Sequence, residues 1–327
     1  MKAIYKRELK SYFSSMIGYA ILGFFLLIVG FYFWGCNLNG ASSSVGSTLS
    51  NIMMVYTIVL PILTMRLLAE EQKQKTDQLL FSSPVSIWGV VIGKYLAAVT
   101  IFTAPFVVIC TMPLVLKFYG NVDLVGNYAT IFAFWLLGDV LLAIGLMVSS
   151  FTENQIVAAV ISFAINITLF LMSSIASIFP STALPSAIGL MVLVLLVGIF
   201  IFAYIRNIIV SGIFVFIGEA AILTVYAIKS SLFESAFTKI VSGISFMSRY
   251  TKFAGGNFDL GSIFYYVTFI ILFLYLTVQS IQKRRGARKE EQTWLRKNQI
   301  IQNQRKKSHL WFVFQEIVSV MEVLVQP

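Results

Sequence analysis

Few residues in this chain could do chemistry, and the first to test is Lys94 in Gly89-Val90-Val91-Ile92-Gly93-Lys94-Tyr95. A phosphate loop needs four residues between its glycines and a Ser or Thr after the lysine to hold magnesium; here there are three, and a tyrosine follows. Any ATP that drives this protein therefore binds another chain, and Lys94 reads as a residue snorkelling at the inner mouth of a membrane span. Asp139 and Glu219 stand inside apolar runs, where an ionisable group costs ~2.5–3.5 kcal/mol on insertion scales and so should face protein or a wet cavity. They are the intramembrane functional candidates, as helix glue or in transport, and Asn166 fits the glue reading better. In one cavity the two acids would suit a polytopic lipid-modifying enzyme; separately, either could couple protons in a secondary transporter. The enzyme would need a third polar group, which the sequence does not offer. No Gly-x-Ser-x-Gly or His-Glu-x-x-His is present, and the lone His309 excludes a multi-histidine metal site. Cys36 and Cys110 are too few for a disulfide framework and read as free. The sequence thus predicts no catalytic, cofactor-binding or metal-binding residues.

The elements that must position these residues are membrane spans. Of 327 residues, 58% are hydrophobic and 12% charged, against roughly a quarter charged in soluble domains. A span needs ~20 apolar residues, and eight runs qualify, at 16–36, 51–68, 88–116, 128–149, 154–179, 185–205, 208–228 and 261–281. This predicts an all-α polytopic membrane protein with both termini on one side. Nineteen of the 24 lysines and arginines then fall on the side of the termini, which makes that side cytoplasmic, N-in and C-in; the expected location is the cell inner (plasma) membrane. The net charge of +10 is explained by flanks lying on anionic membrane lipid and calls for no nucleic acid.

Residues 1–15 place Tyr5, Leu9, Tyr12 and Phe13 on one helical face and Lys2, Lys6, Arg7 and Lys10 on the others, the pattern of an interfacial helix. The first span lacks a small-residue cleavage site and reads as retained. Residues 40–50 read as a flexible outer loop. Pro61, Pro105 and Pro113 are read as outer-side kinks, and 229–260 as an outer segment whose Phe233, Phe237 and Phe246 touch the outer leaflet. The basic 286–327 reads as a cytoplasmic tail; its apolar stretch 310–325 is too short to count as a ninth span.

The longest charged interruption runs from Arg66 through Glu70, Glu71, Lys73, Lys75, Thr76 and Asp77 to Leu79, Leu80, Phe81, Ser83 and Pro84. With Gly93-Lys94-Tyr95, the basic first helix, Ala143-Ile144-Gly145-Leu146, Ser149 to Gln155, and Phe258-Asp259-Leu260-Gly261-Ser262, this series resembles the permease subunit of type-2 ABC exporters. The branch it is most similar to contains the gliding-motility and nitrous-oxide-reductase-maturation permeases. The resemblance implies a six-helix plan in residues 16–285, so that 185–228 is an extra hairpin. It also implies a chain that is not itself an enzyme. A second permease copy or paralogue would pair with it, and two ATP-binding subunits would carry the ATP and magnesium. Segment 66–86 would be the coupling helix, with Arg66, Glu70, Glu71, Thr76, Leu79, Leu80 and Pro84 at the ATPase contact. A charged helix can make charge-assisted contacts in a cleft of such a partner while its leucines anchor it. The loop Ser150 to Gln155 is long enough only to touch the same partner.

Overall fold

A computed structural model describes residues 1–14, 16–76, 86–178, 180, 182–205, 207–255, 259–286, 294 and 298, and these form helices with no strand among them. In chain order they are α1 (Lys2–Ser14), α2 (Met16–Phe33), α3 (Val45–Thr64), α4 (Arg66–Lys73), α5 (Ile87–Ile109), α6 (Met112–Tyr119), α7 (Leu124–Phe151), α8 (Gln155–Ile178), α9 (Ala183–Ile205), α10 (Ile208–Ile228), α11 (Ala236–Ile244) and α12 (Phe246–Ala254). The last, α13, is Leu260–Gly286. Among the described residues seven helical stretches are long and apolar enough to cross a membrane, and Ala183–Ile199 is a shorter apolar helix at the sixth predicted run, 185–205. The protein is an all-α polytopic membrane protein.

At the centre stands α7, with α3, α5, α8 and α12 packed around it. Its sequence is apolar all round, which suits a helix buried on every side, and from Gly126 to Ser150 nearly every position is buried. Two glycines set the approach of its neighbours. A Cβ on Gly138 would stand 2.2 Å from the Phe102 ring of α5, and one on Gly145 would stand 2.1 Å from the Thr64 hydroxyl of α3. Small residues are what let helices pack closely where no hydrophobic force drives them together. One turn before Gly138, Phe134 stacks on Tyr56 at 4.1 Å, and Tyr56 meets Phe102 edge-on at 5.6 Å.

Three expectations are corrected. The Gly/Ser-rich stretch is a loop only to Ser44, because Ser44 caps α3 by accepting from the Gly46 N–H, satisfying one donor that a helix start leaves open. Asn127 of α7 then accepts from the Val45 N–H at 2.7 Å, so the span begins at Val45 instead of 51. Pro61 lies in the last turn of α3, beside α4 and away from the 40–44 loop; Pro113 is at the start of α6, where its missing N–H costs no helix bond. Five aromatic residues of the outer segment turn inward: Phe233, Phe237, Phe246, Tyr250 and Phe253 are all buried. Tyr266 of α13 donates to the Phe246 carbonyl at 3.0 Å and Thr130 of α7 to that of Phe253 at 2.8 Å. Asp259 opens α13 as its cap, accepting from Gly261 N–H and Ser262 Oγ. The Ser262 hydrogen bond comes first in holding its carboxyl below the usual range, ahead of the Gly261 N–H and Lys252.

Candidate functional site

The charged residues converge where α1, α4 and α5 meet. Helix α4 continues α3 past Met65, and its Leu67, Leu68, Ala69 and Gln72 are buried. The first N–H groups of any helix lack partners within it; here Ser149, at the end of α7, accepts from the N–H of Leu68 at 3.1 Å and of Ala69 at 3.0 Å, and donates to the Met65 carbonyl. Gln72 donates to the Ser150 carbonyl at 3.2 Å and accepts from Arg284 of α13. The serines before the short second loop therefore seat α4 within this chain.

Lys94 does not snorkel. Its side chain is 1% exposed, and its ammonium lies 3.0 Å from Glu8 Oε1, 3.1 Å from Glu71 Oε1 and 2.6 Å from the Leu67 carbonyl. Three acceptors match the three donors of an ammonium. Arg7 closes the group by pairing with both Glu8 and Glu71. Burial works against the Arg7 charge, but its hydrogen bond to Glu8 and the field of Glu71 outweigh it and hold its pKa above the ordinary value. Paired carboxylates and cations of this kind can lie out of water because each charge has its complement. The cluster ties the first helix, α4 and α5 into one unit, and Tyr12 extends the tie by donating to the Leu63 carbonyl at 2.7 Å, with Arg66 over its ring.

Of the residues expected to meet a partner, Glu71 is thus engaged inside the chain. Arg66 pairs with Glu70 at 3.1 Å, one turn on, and the Thr76 hydroxyl donates to the Glu71 carbonyl. Glu70 keeps 32% of its side chain exposed, and Lys73, Gln74, Lys75 and Thr76 are exposed. Leu79, Leu80 and Pro84 lie outside the described residues. Sequence reasoning missed the partners of Lys94 altogether. The signal was available: Lys94 lies seven residues, about 10 Å, inside the helix that starts at Ile87, and Glu8 is the one acid among the first 15 residues.

The intramembrane candidates do not join this cluster, nor each other. Asp139 is buried in α7; Tyr95 donates to its backbone carbonyl at 3.2 Å, while its Oδ1 has no hydrogen-bond partner. Asn166 of α8 is buried with neither amide atom paired, beside a narrow cavity lined also by Met53, Thr57, Leu141 and Phe246. Glu219 lines an open groove on the α9–α10 hairpin.

No curated protein matches the chain. The family model of the ABC-2 family transporter protein matches residues 3–213, a stretch that holds α1, α4, Lys94 and the whole of α7. That covers more than half of the 327 residues, and so the chain, a membrane permease component of an ABC transporter, belongs to the ABC-2 transporter family.

Proposed function

We propose that this permease exports its substrate with energy from ATP hydrolysed, with magnesium, on two separate ATP-binding subunits, and that segment 66–86 is where they act on it. The observation that carries the reading is the Lys94 cluster. A short charged helix outside the spans is fastened by it to α1 and α5, and by Ser149 and Gln72 to α7 and α13. A push on α4 would move these helices together. The partner's contacts then fall to the exposed side, Glu70, Lys73, Lys75 and Thr76, with Leu79, Leu80 and Pro84 following, and Glu71 serves as the internal strut. The permease works beside a second copy or a paralogue, N-in and C-in in the inner (plasma) membrane with lipid around it, on the plan of the gliding-motility and nitrous-oxide-reductase-maturation branch. The lipid-enzyme alternative gains nothing from the structure, since Asp139 lies in the central bundle and Glu219 on the peripheral hairpin.

The test is reversal of the exposed cations. Lys73→Glu with Lys75→Glu should leave the chain folded and inserted while co-purification with its ATPase and stimulated hydrolysis fall at least tenfold, because reversed charges at a contact suppress association. Normal assembly and export by that double variant would overturn the coupling role of this segment.

A further inference from the structure

The α9–α10 hairpin carries a feature that ATP coupling does not use. Among the described residues it packs on the short outer helices, Gly189 against Phe237 of α11, and its principal helix contacts are with itself and those outer elements. Only 6% of the α10 span is buried. Inside the hairpin the packing is close: a Cβ on Gly198 would strike Val215, and one on Gly218 would strike Val194. Along that Gly198–Val215 contact the two helices leave an open groove of about 420 Å³, with Leu195, Phe202, Gly212, Phe216 and Glu219 also in its wall. Gly212 there has no atom within 4 Å of where its Cβ would be, which leaves room for a neighbouring backbone.

Glu219 is the twelfth of the 21 residues of α10, so it stands about 14–16 Å from either end at 1.5 Å per residue. No ion pair to it forms among the described residues. A carboxylate at mid-membrane needs a complementary donor. Lipid headgroup amines cannot serve, because they lie about 15 Å away at the edge of the hydrocarbon core. A second copy of this chain does not supply one either: no Lys or Arg stands near the middle of any of its spans, and Lys94 is buried and held by two carboxylates.

We propose that the α9–α10 groove is the docking site for a transmembrane helix of a different polypeptide, one that brings a lysine or arginine to mid-membrane opposite Glu219. The hairpin then recruits a distinct membrane partner to the permease. The carboxylate fixes the depth of the incoming helix, and Gly212 fixes how closely it approaches.

The test uses the full chain in phosphatidylcholine vesicles, with a donor dye on Ser230→Cys in a Cys36→Ser, Cys110→Ser background, and acceptor-labelled 21-residue polyleucine peptides. One peptide carries a central lysine and the other does not. The lysine peptide should associate at least tenfold more tightly than the all-leucine peptide, and Glu219→Gln should abolish the difference. Gly212→Leu, which fills the groove and leaves the charge, should weaken association of the lysine peptide, whereas Asp139→Asn should leave it unchanged. Equal association of the two peptides, or a preference that survives Glu219→Gln, overturns the proposal. So does Glu219-dependent association between labelled copies of the chain with no binding of the lysine peptide.

Discussion

The central helix α7 and the peripheral helix α10 each carry one acid near mid-membrane, and the two are built in opposite ways. Of the α7 span 89% is buried; of the α10 span, 6%. By composition they are nearly alike, since both read as continuous apolar runs with glycine beside the acid, Gly138-Asp139 and Gly218-Glu219. The difference lies in what the glycines meet. Gly138 admits an aromatic ring from another span, whereas Gly218 admits Val194 of its own hairpin partner. Hydropathy therefore says that a helix is in the membrane and not whether it faces protein or lipid. An acid in the first setting must be accommodated by the fold already present, and an acid in the second is left for something outside it.

The sharpest contrast should come from the cluster that anchors the central unit. Lys94→Ala leaves Glu8 and Glu71 to share Arg7 alone, so the loss should approach but not exceed the about 3–5 kcal/mol that removing one partner of a buried ion pair costs. Thermal unfolding in detergent should show that loss, while Glu219→Gln should unfold within about 0.5 kcal/mol of the unaltered chain, as surface changes do. A Lys94→Ala variant as stable as the parent would mean that the cluster does not hold α1 and α4 to α5.

Packing gives the next largest effect. Gly145→Val puts methyl groups where the Thr64 side chain already lies, and overpacking of this kind costs typically 1–3 kcal/mol. The same change at Gly212, which faces open groove, should cost less than about 0.5 kcal/mol. Equal costs at both sites, read from unfolding midpoints, would erase the distinction between the two helices.

Much of this was legible in the residues. Eight apolar runs located the long helices among the described residues, and the Arg66 to Lys75 charges located α4. What was missed was pairing across the chain, for which depth in the helix and a lone acid were the only hints. Lys94 and Glu8 are 86 positions apart, and in sequence each looks like one end of a solvated, lipid-flanking segment. Glu71 looked like a partner-facing charge for the same reason. Reversing Glu70 and Glu71 together would thus be a poor probe of the ATPase contact, because a lysine at 71 would sit against Lys94 and Arg7 and unsettle the fold itself. The burial of Phe233, Phe237, Phe246, Tyr250 and Phe253 was hidden as well, since aromatic residues near a membrane edge serve an interface or a core equally well.

The smallest effect bears most directly on the comparison. Asp139 has one carboxylate oxygen without a partner in a buried site, so the charge it could carry brings the chain a cost with little return. Asparagine has nearly the same shape and keeps a carbonyl oxygen and hydrogen-bonding capacity without ionising. Asp139→Asn should therefore change stability by no more than about 1 kcal/mol, with insertion intact. Export measured on the same preparation separates the two roles left to this residue. As helix glue it predicts unchanged export by the asparagine variant, and this is the expected result, because Tyr95 holds the backbone of residue 139 and not its side chain. A fall in export by a stable, well-inserted Asp139→Asn variant would show instead that the carboxyl group itself meets cargo or protons. The central acid would then be as outward-directed in function as Glu219, despite being enclosed on every side.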